Sequence, residues 1–353
     1  MSTVTYPTAG DWINSCLVSA NSYKILSSEA EASASFLEDG PEPIDRLGGE
    51  HHYVRVSANG DRQEAWMVLF KANKKEMDRL SQVMEQVQAR QLYQSGFFWP
   101  FDLAWDRAVK GYLIHPVDTV RFQPIRTFLA KPQAPRWQLA QSLFQRLQVL
   151  HDSGLALGGF AREQVRVDSV SGSVFLWPSE TCTQLTQGLG ACRQGGYLSI
   201  PKKLEEEAKR CGWVLNGKIH DLFSAAVLAF YLLYFTHPFV GGAFWSLMRE
   251  SYQVQYQNYP DYIFDPQGEN GLGFLDFEQE ILQQWTRTIP ELRALFDGLF
   301  LEVSHPDTVE HNPRSDHWNA GRWAELMALD AQKNGAPEAQ SKYPFEMVKN
   351  YQV

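Results

Sequence analysis

Leu147-Gln-Val-Leu-His-Asp-Ser-Gly-Leu-Ala-Leu-Gly-Gly-Phe-Ala-Arg-Glu-Gln-Val-Arg-Val-Asp168 is the stretch on which the fold of this chain turns. Leading into it, Trp137, Ala140, Leu143, Phe144, Leu147, Leu150 and His151 recur on one side of a helix. The stripe stops at Ser153-Gly154, and a loop follows with the adjacent glycines Gly158 and Gly159. Downstream, Gly172-Ser-Val-Phe-Leu-Trp-Pro-Ser-Glu180 is a second short segment. His220-Asp-Leu-Phe-Ser-Ala-Ala-Val-Leu-Ala-Phe-Tyr-Leu-Leu-Tyr-Phe-Thr-His-Pro-Phe-Val-Gly-Gly242 then contains a run, Leu222 to Phe235, that is apolar on nearly every side. A helix of that kind is buried all round. The succession is helix, glycine loop, apolar strand, short segment and buried helix.

The whole chain has 353 residues, 44% hydrophobic and 21% charged, enough for one two-lobed unit or two small domains with an ordinary globular core. A net charge of -9 gives no overall footprint for DNA or anionic lipid. The basic clusters Lys71, Lys74, Lys75, Arg79 and Lys202, Lys203, Lys209, Arg210 are offset by neighbouring acids and read as solvated helix faces. No nucleic-acid or membrane partner is expected. Cys16, Cys182, Cys192 and Cys211 fit neither a zinc knuckle nor a disulfide framework, so reduced thiols in a cytoplasmic protein are expected. The N-terminus has no basic-then-apolar leader, and Leu222 to Phe235 is shorter than the roughly 20 residues that cross a bilayer.

Ahead of the deciding stretch, residues 1–44 read as a helix-poor extension or linker, with Gly40-Pro-Glu-Pro43 as a break and Ser28-Glu29-x-Glu31 as a candidate cap. His52 to Val56 and Ala65 to Phe70 alternate as strands around the turn Asn59-Gly60-Asp61. Met77, Leu80, Met84, Val87 and Leu92 mark an amphipathic helix from Lys74 to Leu92. Trp99 to Asp106 and Lys110 to Val117 read as strands completing a five-stranded sheet, with a hinge near His115 to Val117. Phe274 to Trp285, Ile289 to Glu302 and Ala320 to Asp330 read as surface helices, and Lys333 to Lys342 as a polar tail. The expected fold class is α+β: a small lobe of antiparallel sheet plus helix over 45–116, a larger, mainly helical lobe over 117–330, and a tail over 331–353.

The motifs Trp99-Pro-x-Asp-Leu, Gly111-Tyr-Leu-Ile-x-Pro, Gln123-Pro-Ile, Leu150-His-x-x-Gly, His220-Asp-Leu-Phe-x-x-x-Val-Leu-x-Phe-x-Leu-Leu and His237-Pro-Phe-x-Gly241, in that order, resemble a bacterial protein kinase-like family of serine/threonine kinase fold. Its members are often found with PP2C-type phosphatases and von Willebrand factor A domains. The resemblance runs from about residue 45 to 330 and implies a bilobal kinase-like fold.

Phosphoryl transfer by such a fold needs a loop over the phosphates, a lysine on the third strand, an aspartate to orient the substrate hydroxyl, and carboxylate and amide ligands for magnesium. The resemblance puts the phosphate loop at Gly48-Gly49, which keeps two glycines but not their spaced pattern; read alone, they punctuate a turn. It puts the lysine at Val68, which binds no phosphate. Lys71 lies three residues on and reaches the same face only through a register shift. Gly48, Gly49, Val68 and Lys71 are therefore the nucleotide-binding candidates. The proton-accepting aspartate maps to Gly159, the amide ligand to Gln164, and the Asp-Phe-Gly triplet to Trp177-Pro178-Ser179. Two architectural residues match: His151 before the loop, and Asp221, whose family counterpart holds the loop's backbone amides and which also reads as a helix cap. The expectation is a pseudokinase with no catalytic residues, no metal and no required cofactor.

Three classes of function compete: a non-catalytic scaffold or allosteric regulator that binds a PP2C-type phosphatase, a kinase or a von Willebrand factor A protein; an atypical ATP- and magnesium-dependent phosphotransferase using Glu163, Asp168 or Glu180 as a metal ligand; and an unrelated structural protein. His305, His311 and His317 recur every six residues between prolines, which suits an exposed polar loop better than a metal site. Trp99, Trp105, Trp245 and Trp318 are candidate exposed anchors for a partner.

Overall fold

The computed structural model describes residues 12–15, 22–25, 52–58, 64–70, 74–92, 96–106, 109–115, 117–118, 120–129, 135–178, 181–185, 198–242, 244, 256–258, 260–272, 276–305 and 315–334. The small lobe is a six-stranded antiparallel sheet of β1 (Trp12–Ser15), β2 (Ser22–Ile25), β3 (His52–Ala58), β4 (Glu64–Phe70), β5 (Asp102–Asp106) and β6 (Val109–Ile114). The strand order is β1-β2-β3-β4-β6-β5, and β1 also pairs with β5 to close the sheet. Two of these strands correct the expectation that residues 1–44 form a lead-in. Ile25 sits opposite Val56 and Asn14 opposite Trp105, so the sheet begins at Trp12. Closure also removes the bare edges that the five-strand reading would leave.

Helix α1 (Lys74–Ala89) follows β4, and its stripe of Met77, Leu80, Met84 and Val87 is buried. Strand β5 starts three residues later than expected, because Phe97 and Phe98 pair with the large lobe instead: Phe98 N–H donates to the Leu176 carbonyl. The two lobes are thus joined by backbone as well as by the hinge.

The large lobe opens with β7 (Phe122–Pro124), α2 (Ile125–Leu129) and α3 (Arg136–Asp152). Strand β8 (Leu155–Ala156) leads into the glycine loop, which ends in a 3-10 turn at Arg162–Gln164. Strands β9 (Val165–Asp168) and β10 (Val174–Leu176) form a hairpin, β7 pairs with β9, and β11 (Thr183–Gln184) returns to β8. Helix α4 (Lys202–Arg210) precedes α5 (Gly217–Tyr234), where 16 residues are buried. A surface helix buries three or four residues in seven; this one is the axis of the lobe.

Around it pack α6 (Asp276–Arg287), α7 (Pro290–Ser304) and α8 (Ala320–Asn334). The last two are not surface helices as expected: Phe296, Phe300 and Trp323 are fully buried, and Trp323 stacks on Phe144 of α3 at 4.8 Å. Strands, a helix, strands, a hinge, then a helix, loop, hairpin and central helix are the order of a protein kinase-like bilobal α+β fold.

Candidate functional site

The loop between β8 and β9 is held from below by α5. That helix is capped by Asn216, whose side chain accepts the Ile219 N–H at 3.1 Å. Asp221 therefore lies in the second turn and does not cap its own helix, which corrects that part of the sequence reading. Its fully buried carboxylate instead accepts the N–H groups of Leu157 at 2.9 Å and Gly159 at 2.7 Å, with His151 Nε2 at 3.1 Å. One turn on, Ser224 Oγ accepts from Phe160 N–H. A buried carboxylate is stable only when its lone pairs are met, and here donors arrive from the loop and from α3.

Glycines permit the close approach. Gly159 has φ +84°, in the left-handed region where side chains are disfavoured. A Cβ on Gly217 would stand 2.9 Å from the Ala156 side chain, too near for β8 to lie against α5.

The upper side of the loop carries different chemistry. Gly159 offers no side chain. The Gln164 amide is buried and spent within the loop: its Oε1 accepts from Ala161 N–H, and its Nε2 donates to the Trp177 carbonyl, each at 2.9 Å. Trp177 N–H in turn donates to the Gln164 carbonyl at 2.9 Å, which fixes Trp177 from both sides of its peptide. Its indole, 7% exposed, packs among Met77, Leu80 and Met84 of α1 and Leu103, Tyr112 and Ile114 of the sheet. Where the resemblance puts a metal ligand, the chain places an aromatic plug between the lobes.

The plug continues outward. Trp177 meets Phe98 at 5.5 Å, and Phe98 meets Phe122 at 5.1 Å and Phe175 at 5.3 Å. Asp168, considered above as a metal ligand, is committed to a two-pronged ion pair: Arg121 Nε donates to Oδ1 at 3.1 Å and Nη2 to Oδ2 at 2.9 Å. With further bonds from Val170 N–H and Ser171 Oγ, Arg121 holds this carboxyl well below the usual range.

The remaining candidates scatter. Gly48, Gly49, Lys71, Glu180, His311 and Trp245 lie outside the described residues, as do the side chains of Val68, Trp105 and Glu163; the Val68 backbone is in β4 opposite Tyr53 and Tyr112. His305 and His317 do not sit in an exposed polar loop as read from spacing. His305 pairs with Asp265, while buried His317 pairs with Glu302, which also accepts from Trp318 Nε1. Trp99 and Trp318 are buried and present no anchor. Among the described residues no group of three or more His, Cys, Asp or Glu could hold a metal ion, and no helix is long and apolar enough to cross a membrane. Sequence reasoning missed Asn216, Ser224, Arg121 and the phenylalanines of the plug. Only Asn216-Gly217 ahead of an apolar run carried a local signal.

No family model and no curated protein matches the chain. Among solved structures, it is similar to a Toxoplasma gondii specific rhoptry antigen kinase domain. The two are 14% identical, with a TM-score of 0.43, over 79% of this chain and 87% of that one.

Proposed function

We propose that this protein is a catalytically inactive member of a bacterial protein kinase-like family, acting in the cytoplasm as a scaffold or allosteric regulator in signalling or stress defence. Its partner would be a protein such as a PP2C-type phosphatase, a kinase or a von Willebrand factor A protein. The observation that carries this reading is the state of three positions around one loop. Gly159 has no side chain, Gln164 spends its amide on the loop's own backbone, and Trp177 buries an indole where phosphoryl transfer needs a carboxylate on magnesium. The framework beneath, His151 and Asp221, maintains loop shape without supplying a reacting group. Fold outlives chemistry in this way because packing and catalysis are specified by different residues.

Calorimetric titration of the full chain with ATP and Mg²⁺ or Mn²⁺ tests this directly. The expected result is no binding at millimolar nucleotide and no phosphate transfer to itself or to a general acceptor protein. Tight binding with turnover would overturn the proposal in favour of an atypical ATP-dependent phosphotransferase.

A further inference from the structure

By chain order α1 belongs to the small lobe, but its buried residues join two different cores. Met77, Leu80 and Met84, at spacings of three and four, meet the Trp177 indole and the sheet residues Leu103, Tyr112 and Ile114. Val83 and Val87, with Leu92, Phe97 and Trp99 further along the chain, belong instead to the large-lobe core that contains Leu143, Leu147 and Leu150 of α3. The helix sets one apolar row against each lobe.

Directional bonds reinforce the large-lobe row. Gln82 and Gln86 stand one turn apart beside the two valines. Gln86 Nε2 donates to the Ser153 carbonyl at the end of α3, where helix carbonyls need donors from outside. Gly154, at φ +78°, permits this approach, since a Cβ there would stand 3.0 Å from Gln86 Nε2. Gln184 Nε2 on β11 donates to the Gln82 carbonyl at 3.4 Å, and Leu185 N–H ties β11 to the Gly154 carbonyl at 2.8 Å. Beyond the helix, the Gly96 carbonyl accepts Leu176 N–H and Phe98 N–H donates to the Leu176 carbonyl, each at 3.0 Å. Gln82, Gln86, Gly96 and Phe98 are thus all bonded to the large lobe.

The sheet is attached in another way. The chain enters it through Phe101 and leaves it through His115, and these two crossings lie side by side: Phe101 N–H donates to the Leu113 carbonyl at 2.8 Å, and its ring stacks on His115 at 4.3 Å. Adjacent crossings form an axis about which the rest of a sheet can turn. Away from that axis, Leu103, Tyr112 and Ile114 meet the indole and the methionines by apolar packing, which is non-directional. Unbranched methionines adapt readily to a shifted neighbour.

We propose that α1 and the Gly96–Trp99 segment are a fixed part of the large lobe, and that the sheet turns against them about the paired crossings at Phe101 and His115. The moving boundary then runs between α1 and the sheet, along the Trp177 indole, and not ahead of α1. This goes beyond the scaffold reading and does not depend on it, because it concerns which parts of the chain travel together.

The test is double electron–electron resonance on the full chain, with nitroxides attached through p-acetylphenylalanine so that the cysteines stay as they are. Label pairs join Glu85, exposed on α1, or Glu64, at the start of β4, to the exposed large-lobe positions Lys203 on α4 and Glu280 on α6. From both large-lobe positions the distance distributions to Glu85 should be at least twofold narrower than those to Glu64. In Q86A/Q184A, which removes two side-chain donors from partly exposed positions, the Glu85 distributions should broaden towards the Glu64 widths. Widths that agree within twofold would overturn the proposal: if narrow, the sheet does not turn, and if broad, α1 travels with it. Broader distributions to Glu85 than to Glu64 would overturn it as well. A Q86A/Q184A protein with wild-type widths would overturn the part assigned to the two glutamines.

Discussion

Two sides of one loop obey opposite chemistries. Below it, a buried carboxylate gathers donors from Leu157, Gly159 and His151. Above it, the positions that would face a nucleotide carry no side chain at Gly159, an inward-turned amide at Gln164 and a packed indole at Trp177. The lower side fixes backbone shape through these bonds. On the upper side the Trp177 indole has become part of the core between α1 and the sheet. Removing a residue from each side should therefore break different things.

The largest loss is expected from Asp221→Ala. It leaves two buried backbone N–H groups and the His151 ring without their acceptor, at a cost of about 4 kcal/mol. Denaturant unfolding should show a global loss of stability, and Asp221→Asn should recover only part of it, because one of its two terminal atoms cannot accept. Equal stability of wild type and Asp221→Ala would refute the idea that the loop hangs on this carboxylate.

Trp177→Ala should come next, at about 3 kcal/mol, from the lost apolar contact and the cavity left between α1 and the sheet. The loss should be uneven. Hydrogen exchange is expected to quicken in α1 and β5–β6, whose side chains surround the indole, while α5 stays protected. Uniform quickening across both lobes would mean that Trp177 is an ordinary core residue and not a joint between them.

Gly159→Ala separates conformation from contact. The N–H to Asp221 survives, but φ +84° is strained for any side chain, so about 1–2 kcal/mol should be lost. Gly159→Asp should also be destabilising but by less, because Asp adopts this backbone region more readily than Ala; a Gly159→Asp variant less stable than Gly159→Ala would contradict this.

How much of this was legible in the chain follows the reach of the interactions. Helices α1, α3 and α5 announced themselves because their apolar periodicity is local, as did the hairpin strands β3 and β4. The residue types at Gly159 and Trp177 were also readable, since side-chain chemistry is a property of one residue. Where the Trp177 indole goes was not, because its neighbours on α1 and β6 lie 63 to 100 positions earlier in the chain, beyond the reach of any local pattern. Strands β1 and β2 were hidden for the same reason: Trp12–Ser15 gains its place by pairing with β5, some ninety positions away. Asp221 was misread as a cap because the apolar run begins at Leu222, although the helix already starts at Gly217 behind Asn216.

The smallest effect concerns Asp297 and asks whether donor count explains why Asp221 is tolerated. Asp297, on α7, accepts one side-chain bond, from Tyr262 O–H at 2.9 Å. Burial pushes its carboxyl up to about 6, and the Tyr262 bond and the Arg293 charge only partly oppose this. A carboxyl raised in the folded state binds its proton more tightly there than in the unfolded chain. Its stability contribution is therefore best below the unfolded value of 3.8 and declines as pH rises towards 6, levelling off above that. Asp297→Asn should remove that decline. Solvent screening at its half-exposed edge limits the gain to about 1 kcal/mol at pH 7.5, with little difference from wild type at pH 4. The check is the difference in unfolding free energy between the two proteins at each pH, so that other titrating groups cancel. A difference that does not grow with pH would show that Asp297 is as well satisfied by one donor as Asp221 is by its set.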